Sequence, residues 1–265
     1  MERNAIILPR LYYILISALV IAIFITRAEN MRNAVLPAAL HVPELVTEHM
    51  EEVDEAYVHN YGNLKDIYDK IVYIDPGHGG IDDGASVGGH NEKDINLNIA
   101  LMVYNMLRES GSGIHPVLSR QGDVFIGRYD RAAQGSAAAD IIVSIHCNTF
   151  EQRSVHGTET YYDKNQILGP SVRTGFTSME LAEIIQRNII EATGSRDRGA
   201  RDINQFRMEL AMTTAARVPS VVVEAGYMTN PAELALLVTE EYQHKLAVGI
   251  FNGILEAFGA KSDPL

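Results

Sequence analysis

Four side chains in this sequence are of types that bind metal ions and move protons: His78, Glu92, His146 and Glu224. Three of them follow short apolar runs, at 71–74 (IVYI), 141–145 (IIVSI) and 220–223 (SVVV). Runs of that length between breakers suit buried strands. His78 lies past Asp75-Pro76-Gly77 and before Gly79-Gly80. A histidine on such a loop is free of core packing and able to reach a ligand. Glu92 stands 14 positions later, where a helical pattern starts. The exposed N–H groups of a first helical turn favour a carboxylate over its acid form. Two imidazoles and one carboxylate with an open position are the ligand set of a hydrolytic zinc site. Zinc lowers the pKa of bound water to about 7 and polarises a carbonyl oxygen. A further carboxylate must then take the water proton and pass it to a leaving amine. Glu92 is assigned as ligand and Glu224 as proton carrier; spacing alone does not separate this assignment from its reverse, and no HExxH motif is present.

The elements that must position these groups alternate. After the first strand, Asn91 and Asp94 have the spacing of a capping box. A helix follows, with Ile95, Ile99, Met102, Val103 and Met106 on its buried stripe and Gly111 as its stop. A second strand covers Val117 and Leu118, and an alanine-rich helix is expected over 123–139. In the strand from Ile141, alternation puts Ser144, His146 and Asn148 on one face and Ile145 and Cys147 on the other. Cys147 is therefore a packed thiol rather than a fourth ligand. GTETYY, at 157–162, reads as another strand. Thr177-x-x-Glu180 opens a helix carrying Leu181, Ile184, Ile185 and Ile189, ended by Gly194. RDRGAR, at 196–201, is a basic loop, and 208–216 a weaker helix. A strand ends at Glu224, Asn230-Pro231-Ala232-Glu233 starts another helix, and 242–258 is the last. Strands alternating with helices predict an α/β layer fold with a mainly parallel sheet. In such sheets sites form beyond the carboxyl ends of strands, so these four residues can converge.

The chain has 265 residues, 46% hydrophobic and 21% charged, ordinary for a globular protein. A net charge of −12 argues against a nucleic-acid footprint. One cysteine excludes an internal disulfide. Without Trp, any sugar-stacking platform falls to the 12 Tyr. Leu11 to Thr26 carries no charge and is flanked by Arg10 and Arg27. Residues 1–28 therefore read as a membrane anchor with an extracytoplasmic catalytic domain, secretion after signal cleavage being the alternative. Residues 29–69 form a spacer with an amphipathic helix at Leu45, Val46, Met50, Val53 and Tyr57. The catalytic domain covers 70–260, and 261–265 are a tail.

Four ordered motifs, DPGHGGIDDGA (75–85), NEKD (91–94), ADIIVSIHCN (139–148) and PSVVVEAGYMTNP (219–231), closely resemble the zinc-dependent N-acetylmuramoyl-L-alanine amidases of the type 3 amidase family. The similarity spans 71–258. It implies a single catalytic domain with a twisted, mostly parallel six-stranded sheet flanked by helices. It implies Zn²⁺ held by His78, Glu92 and His146, with Glu224 catalytic. The implied reaction is hydrolysis of the amide between the lactyl group of N-acetylmuramic acid and L-alanine of the peptidoglycan stem peptide. The implied partner is thus a muramyl peptide. An N-terminal anchor on a single catalytic domain is also similar to the spore-cortex amidases. Departures from the family pattern are Cys147 after the second histidine, Gly135 where relatives carry Asn, and a short 163–176 segment without an inhibitory helix.

Arg120, Asp123 and Arg131 match common family positions and are expected to form a structural ion-pair network. Asn148 is either a substrate donor or a turn-fixing residue. Arg198, Arg201 and Arg207 either meet stem-peptide carboxylates or form a solvated loop. His90 and His156 are exposed and stand as reserve ligands. Two other readings share these features: a zinc hydrolase acting on another peptide, and a catalytically silent wall-binding or regulatory protein. The complete ligand set and Glu224 count against the second.

Overall fold

The computed structural model describes residues 64–170 and 172–261. The expected anchor, the helix expected at 45–57 and all of the tail but Lys261 lie outside the described residues. Among the described residues no helix is long and apolar enough to cross a membrane.

In chain order the elements are α1 (Leu64–Ile67), β1 (Ile71–Pro76), β2 (Ser86–Val87), β3 (His90–Asn91), α2 (Glu92–Glu109), β4 (His115–Leu118), α3 (Arg128–Ala138) and β5 (Ile141–Asn148). Then come β6 (Thr158–Tyr162), α4 (Ser178–Thr193), β7 (Asp197–Asp202), a 3₁₀ turn (Ile203–Gln205), α5 (Ala211–Thr214), β8 (Ser220–Tyr227), α6 (Pro231–Leu237) and α7 (Glu240–Ala257). Six strands form one sheet in the order β4-β1-β5-β8-β6-β7. Every pairing in it is parallel except that between β6 and β8.

The central strands are apolar on both faces because both are covered by helices. Val72, Ile74, Val143, Ile145, Val221 and Val223 pack with α2, α4 and α7. Ile71, Tyr73, Ile142 and Val222 pack with α3 and α5. The first layer has helices of 18, 16 and 18 residues, whereas α3 has 11 and α5 only four. The thinner layer leaves the carboxyl ends of the strands open on that side, and there the site forms.

Several local expectations change. RDRGAR is not a loop but most of β7, which pairs with β6 in parallel. The helix expected over 123–139 starts only at Arg128, and 208–216 yields only α5. Asn91 precedes α2 but its side chain makes no cap bond; its Oδ1 accepts from Ser86 Oγ at 2.8 Å instead, tying β2 to β3. Leu107, not Met102 or Met106, completes the buried stripe of α2. Thr177 and Glu180 do form the full capping box, and Gly194 ends α4 in the left-handed region.

Two glycines of α7 let it lie against α4. A Cβ on Gly249 would sit 2.5 Å from Ile189 Cα and 3.0 Å from Asn188 O, and one on Gly253 2.9 Å from Ile185 Cα. Backbone atoms cannot swing aside as a side-chain tip can. Alanine is the better helix former by about 1 kcal/mol, yet overpacking costs about 1–3 kcal/mol. Gly249→Val, which adds more bulk and gains less propensity than alanine, is expected to lower unfolding free energy by roughly 3 kcal/mol. Denaturant unfolding checks this; an unchanged midpoint would refute the close approach.

Candidate metal centre

The loop after β1 is closed by short backbone bonds. Gly77 N donates to Ile145 O at 2.9 Å, and Gly79 and Asp82 exchange N–H···O bonds of 2.9 and 3.1 Å. His78 stands between them at φ +63°, uncommon for a residue with a Cβ. Strain of this kind persists only where the surroundings over-determine it. Here His78 Nδ1 donates to Asp82 Oδ2 at 2.9 Å, and Nε2 turns toward Glu92 Oε2 at 3.2 Å.

Glu92 opens α2 and reaches over the edge of the sheet. Its Oε2 accepts from Ala85 N at 2.9 Å and its Oε1 from Cys147 N at 3.1 Å. Asn96, one turn on, donates to Oε1 at 3.3 Å. His146 comes from the end of β5, where the register with β8 shifts between His146 and Asn148. A bulge there re-aims side chains at the strand end. His146 Nδ1 lies 3.0 Å from Glu92 Oε1. One donor atom from each of His78, Glu92 and His146 lies within 4.8 Å of the other two.

The cradle has no room to spare. A Cβ on Gly77 would fall 2.2 Å from the His146 ring, and one on Gly84, at φ +64°, 2.6 Å from both Glu92 Oε2 and the His78 ring. Burial of Glu92 opposes its charge, but hydrogen bonds and charge from His146 and His78 outweigh this and hold its pKa far below the usual range. For His78, burial opposes protonation, while Glu92 and Asp82 together raise its pKa. Two imidazoles and an ionised carboxylate, convergent and prearranged, fit a divalent ion of the zinc type.

Glu224 is not part of that cluster. It faces His146 in the β5–β8 register and lines the same cavity of about 620 Å³. Its buried Oε2 has no hydrogen-bond partner among the described residues. Burial, then the charges of Glu92 and Glu159, push its pKa well above the carboxylate range. Burial of this kind disfavours the charged form of the carboxyl group.

One functional neighbour escaped sequence reasoning. Glu159, wholly buried, pairs with Glu224 in the β6–β8 register, so His146, Glu224 and Glu159 form a row across three strands. It accepts from Asn148 Nδ2 at 2.9 Å, Tyr227 OH at 2.5 Å, Arg198 Nε at 3.1 Å and Arg201 Nη1 at 2.5 Å. Burial opposes its charge, and these donors more than compensate, lowering its pKa. Arg198 and Arg201 thus pair with Glu159 within a strand rather than forming a solvated loop. Arg207 is exposed in the left-handed region. Asn148 takes the bracing role, its Oδ1 also accepting from Thr149 N at 2.8 Å. The available signal was a lone acid inside a β-favouring run, with an arginine pair downstream.

The remaining candidates settle as supports. Arg120 donates to Pro76 O, Gly77 O and Lys93 O, bracing the His78 loop. Asp123 pairs with Lys93 at 3.0 Å, and Arg131 with Asp75 at 2.6 Å. Cys147 is buried in the first layer, its thiol pKa raised by that burial and by neighbouring carboxylates. His90 and His156 are exposed and join no ligand cluster among the described residues. Residues 163–170 and 172–176 contain no helix and line no part of the cavity. Gln166 instead binds Ala216 O and Val218 O at the far end of β8.

Two predictions follow from these contacts. A carboxylate that orients a ligating imidazole raises metal affinity roughly 10–100-fold. Asp82→Ala is therefore expected to weaken metal binding by about that factor in a chelator competition; unchanged affinity would show that Asp82 does not set the His78 ring. For Asp75, burial opposes ionisation, but Arg131, Ser144 and Ser119 outweigh it and the pKa lies below its ordinary value. A depressed folded-state pKa adds stability above the unfolded pKa of about 4, lost as pH falls through the lower folded value. Unfolding free energy measured from neutral to strongly acid pH is expected to fall less steeply below about pH 4 in Asp75→Asn than in the parent. Equal slopes would refute it.

The family model described as N-acetylmuramoyl-L-alanine amidase matches residues 72–256. Over 186 residues the chain is 40% identical to the uncharacterized protein YqiI of Bacillus subtilis strain 168, covering 70% of this chain and 83% of that protein. It is 30% identical over 210 residues to the germination-specific N-acetylmuramoyl-L-alanine amidase of the same organism, covering 74% and 82%. The solved structure of an N-acetylmuramoyl-L-alanine amidase from Clostridium difficile 630 matches with a TM-score of 0.63 at 33% identity, over 72% of this chain and 97% of that one.

Proposed function

We propose, since this chain belongs to the N-acetylmuramoyl-L-alanine amidase family, that His78, Glu92 and His146 hold zinc while Glu224 carries the proton. The enzyme is a peptidoglycan amidase, cleaving the bond between N-acetylmuramic acid and L-alanine. The observation that carries the residue roles is the convergence of three donor atoms within 4.8 Å, with Glu224 lining the same cavity. Zinc held by these three residues would supply Lewis-acid polarisation of the scissile carbonyl and would acidify a water.

The chain's own residues do the rest. Glu224 takes one proton from the water as its oxygen bonds to the lactyl carbonyl carbon. Burial keeps that proton on the carboxyl group between the two steps. As the C–N bond breaks, Glu224 returns the proton to the alanine nitrogen; the second water proton leaves the new lactyl carboxyl group for the released amine, so the products are a lactyl carboxylate and an alanine ammonium. Asp82 holds the His78 ring in the tautomer that leaves Nε2 free of hydrogen. Glu159 and its arginines anchor the strand beside Glu224.

The charge-free run at 11–26 supports a membrane tether, and a peptidoglycan substrate supports an extracytoplasmic enzyme. Likeness to a germination-specific amidase supports work on the spore cortex. The test is a digest of purified peptidoglycan with and without chelator. New N-terminal alanine and peptide-free muramic acid are expected, lost with chelator and restored by zinc. Binding without cleavage, or new termini other than alanine, would overturn the reading.

A further inference from the structure

Besides the metal-site residues, the cavity is lined by two exposed charges of opposite sign, Arg128 and Glu209. Arg128 is the first residue of α3, and Glu209 lies just before α5. Both line the cavity that holds the metal cluster. Tyr129 ties them together: its hydroxyl donates to Glu209 Oε1 at 2.6 Å, and the Arg128 guanidinium carbon lies 5.2 Å from its ring centre. Among the described residues neither charge belongs to an ion pair. Asp130, in the same turn as Arg128, stays outside the lining. Ile126, Leu210 and Met212 supply apolar surface beside the pair. This differs from Arg198 and Arg201, whose charges are spent on buried Glu159.

An exposed, tethered cation and anion on one cavity wall match a ligand bearing a free carboxylate and a free ammonium joined by aliphatic chain. A stem peptide containing a glutamate and a diamino acid is such a ligand. We infer that Arg128 and Glu209 are specificity residues, Arg128 pairing with a stem-peptide carboxylate and Glu209 with its free ammonium. Arg128 offers a fork that a carboxylate fills, and Glu209 keeps acceptor capacity beyond its bond to Tyr129. The inference rests on the peptidoglycan-amidase reading above and assigns the peptide end of the substrate to this wall.

The test uses three muramyl tripeptides: one with both groups free, one with the amine acetylated and one with the carboxylates amidated. The zinc-loaded parent, Glu209→Gln and Arg128→Gln are compared by kcat/KM and by calorimetric binding of the corresponding free tripeptides. The parent is expected to favour the free amine over the acetylated one by about fivefold, through KM, the upper range for a charge pair still touching water. Glu209→Gln is expected to erase that preference and keep the carboxylate preference; Arg128→Gln should do the converse. Equal losses on all three substrates, or no preference in the parent, would overturn the assignment. Discrimination in binding without any hydrolysis would sink the amidase reading and leave the reader intact.

Discussion

Glu224→Gln is expected to reduce turnover on muramyl peptide by about 10³-fold while the protein keeps its zinc. Glutamine matches the side chain in size but cannot accept a proton and return it, and positioned acid–base groups contribute roughly 10²–10⁴-fold. Zinc retention follows because the donor cluster of His78, Glu92 and His146 does not include Glu224. Folding stability should also survive. The Oε2 of Glu224 has no partner to lose, and its raised pKa marks a charge that the fold does not favour. Steady-state kinetics, metal analysis and a melting curve on one preparation check all three points. Loss of zinc from this variant would make Glu224 a ligand and reverse its role with Glu92.

His78→Ala is expected to lose both zinc and turnover. Removing one of three protein donors leaves two, and the remaining pair, His146 and Glu92, then simply hydrogen-bond at 3.0 Å. Alanine at φ +63° loses the imidazole's bond to Asp82 and is less at home in the left-handed region than histidine, so a lowered melting temperature by itself is ambiguous. His78→Asn separates the causes, since asparagine tolerates the left-handed region but is too short to replace the imidazole. Both variants should fail to retain zinc through dialysis, and the asparagine form should keep the parent's far-ultraviolet spectrum. Stoichiometric zinc in either would remove His78 from the ligand set.

Much of the scaffold was legible locally. Short apolar runs marked β1, β5 and β8, with Pro or Gly beside the first and the last, and Thr177 with Glu180 marked the start of α4, because each signal involves neighbours in the chain. Signals of that kind failed where a distant partner competed. Asn91 had cap spacing, yet Ser86 took its side-chain oxygen. RDRGAR had the composition of a loop, yet Glu159, 39 and 42 residues from Arg198 and Arg201, drew both arginines into β7. A buried carboxylate must find donors wherever the chain brings them, and composition cannot name them.

By itself the sequence determined the chemical inventory: two histidines and two acids at strand ends or a helix start, on an acidic α/β chain without disulfides. Only the tertiary structure decided which groups meet. The strand order β1-β5-β8 sets the His78 loop beside His146 and His146 beside Glu224, and α2 starts where Glu92 can touch both rings. Strand order comes from packing two layers against one sheet, a property of the whole chain. No spacing along 265 residues encodes it.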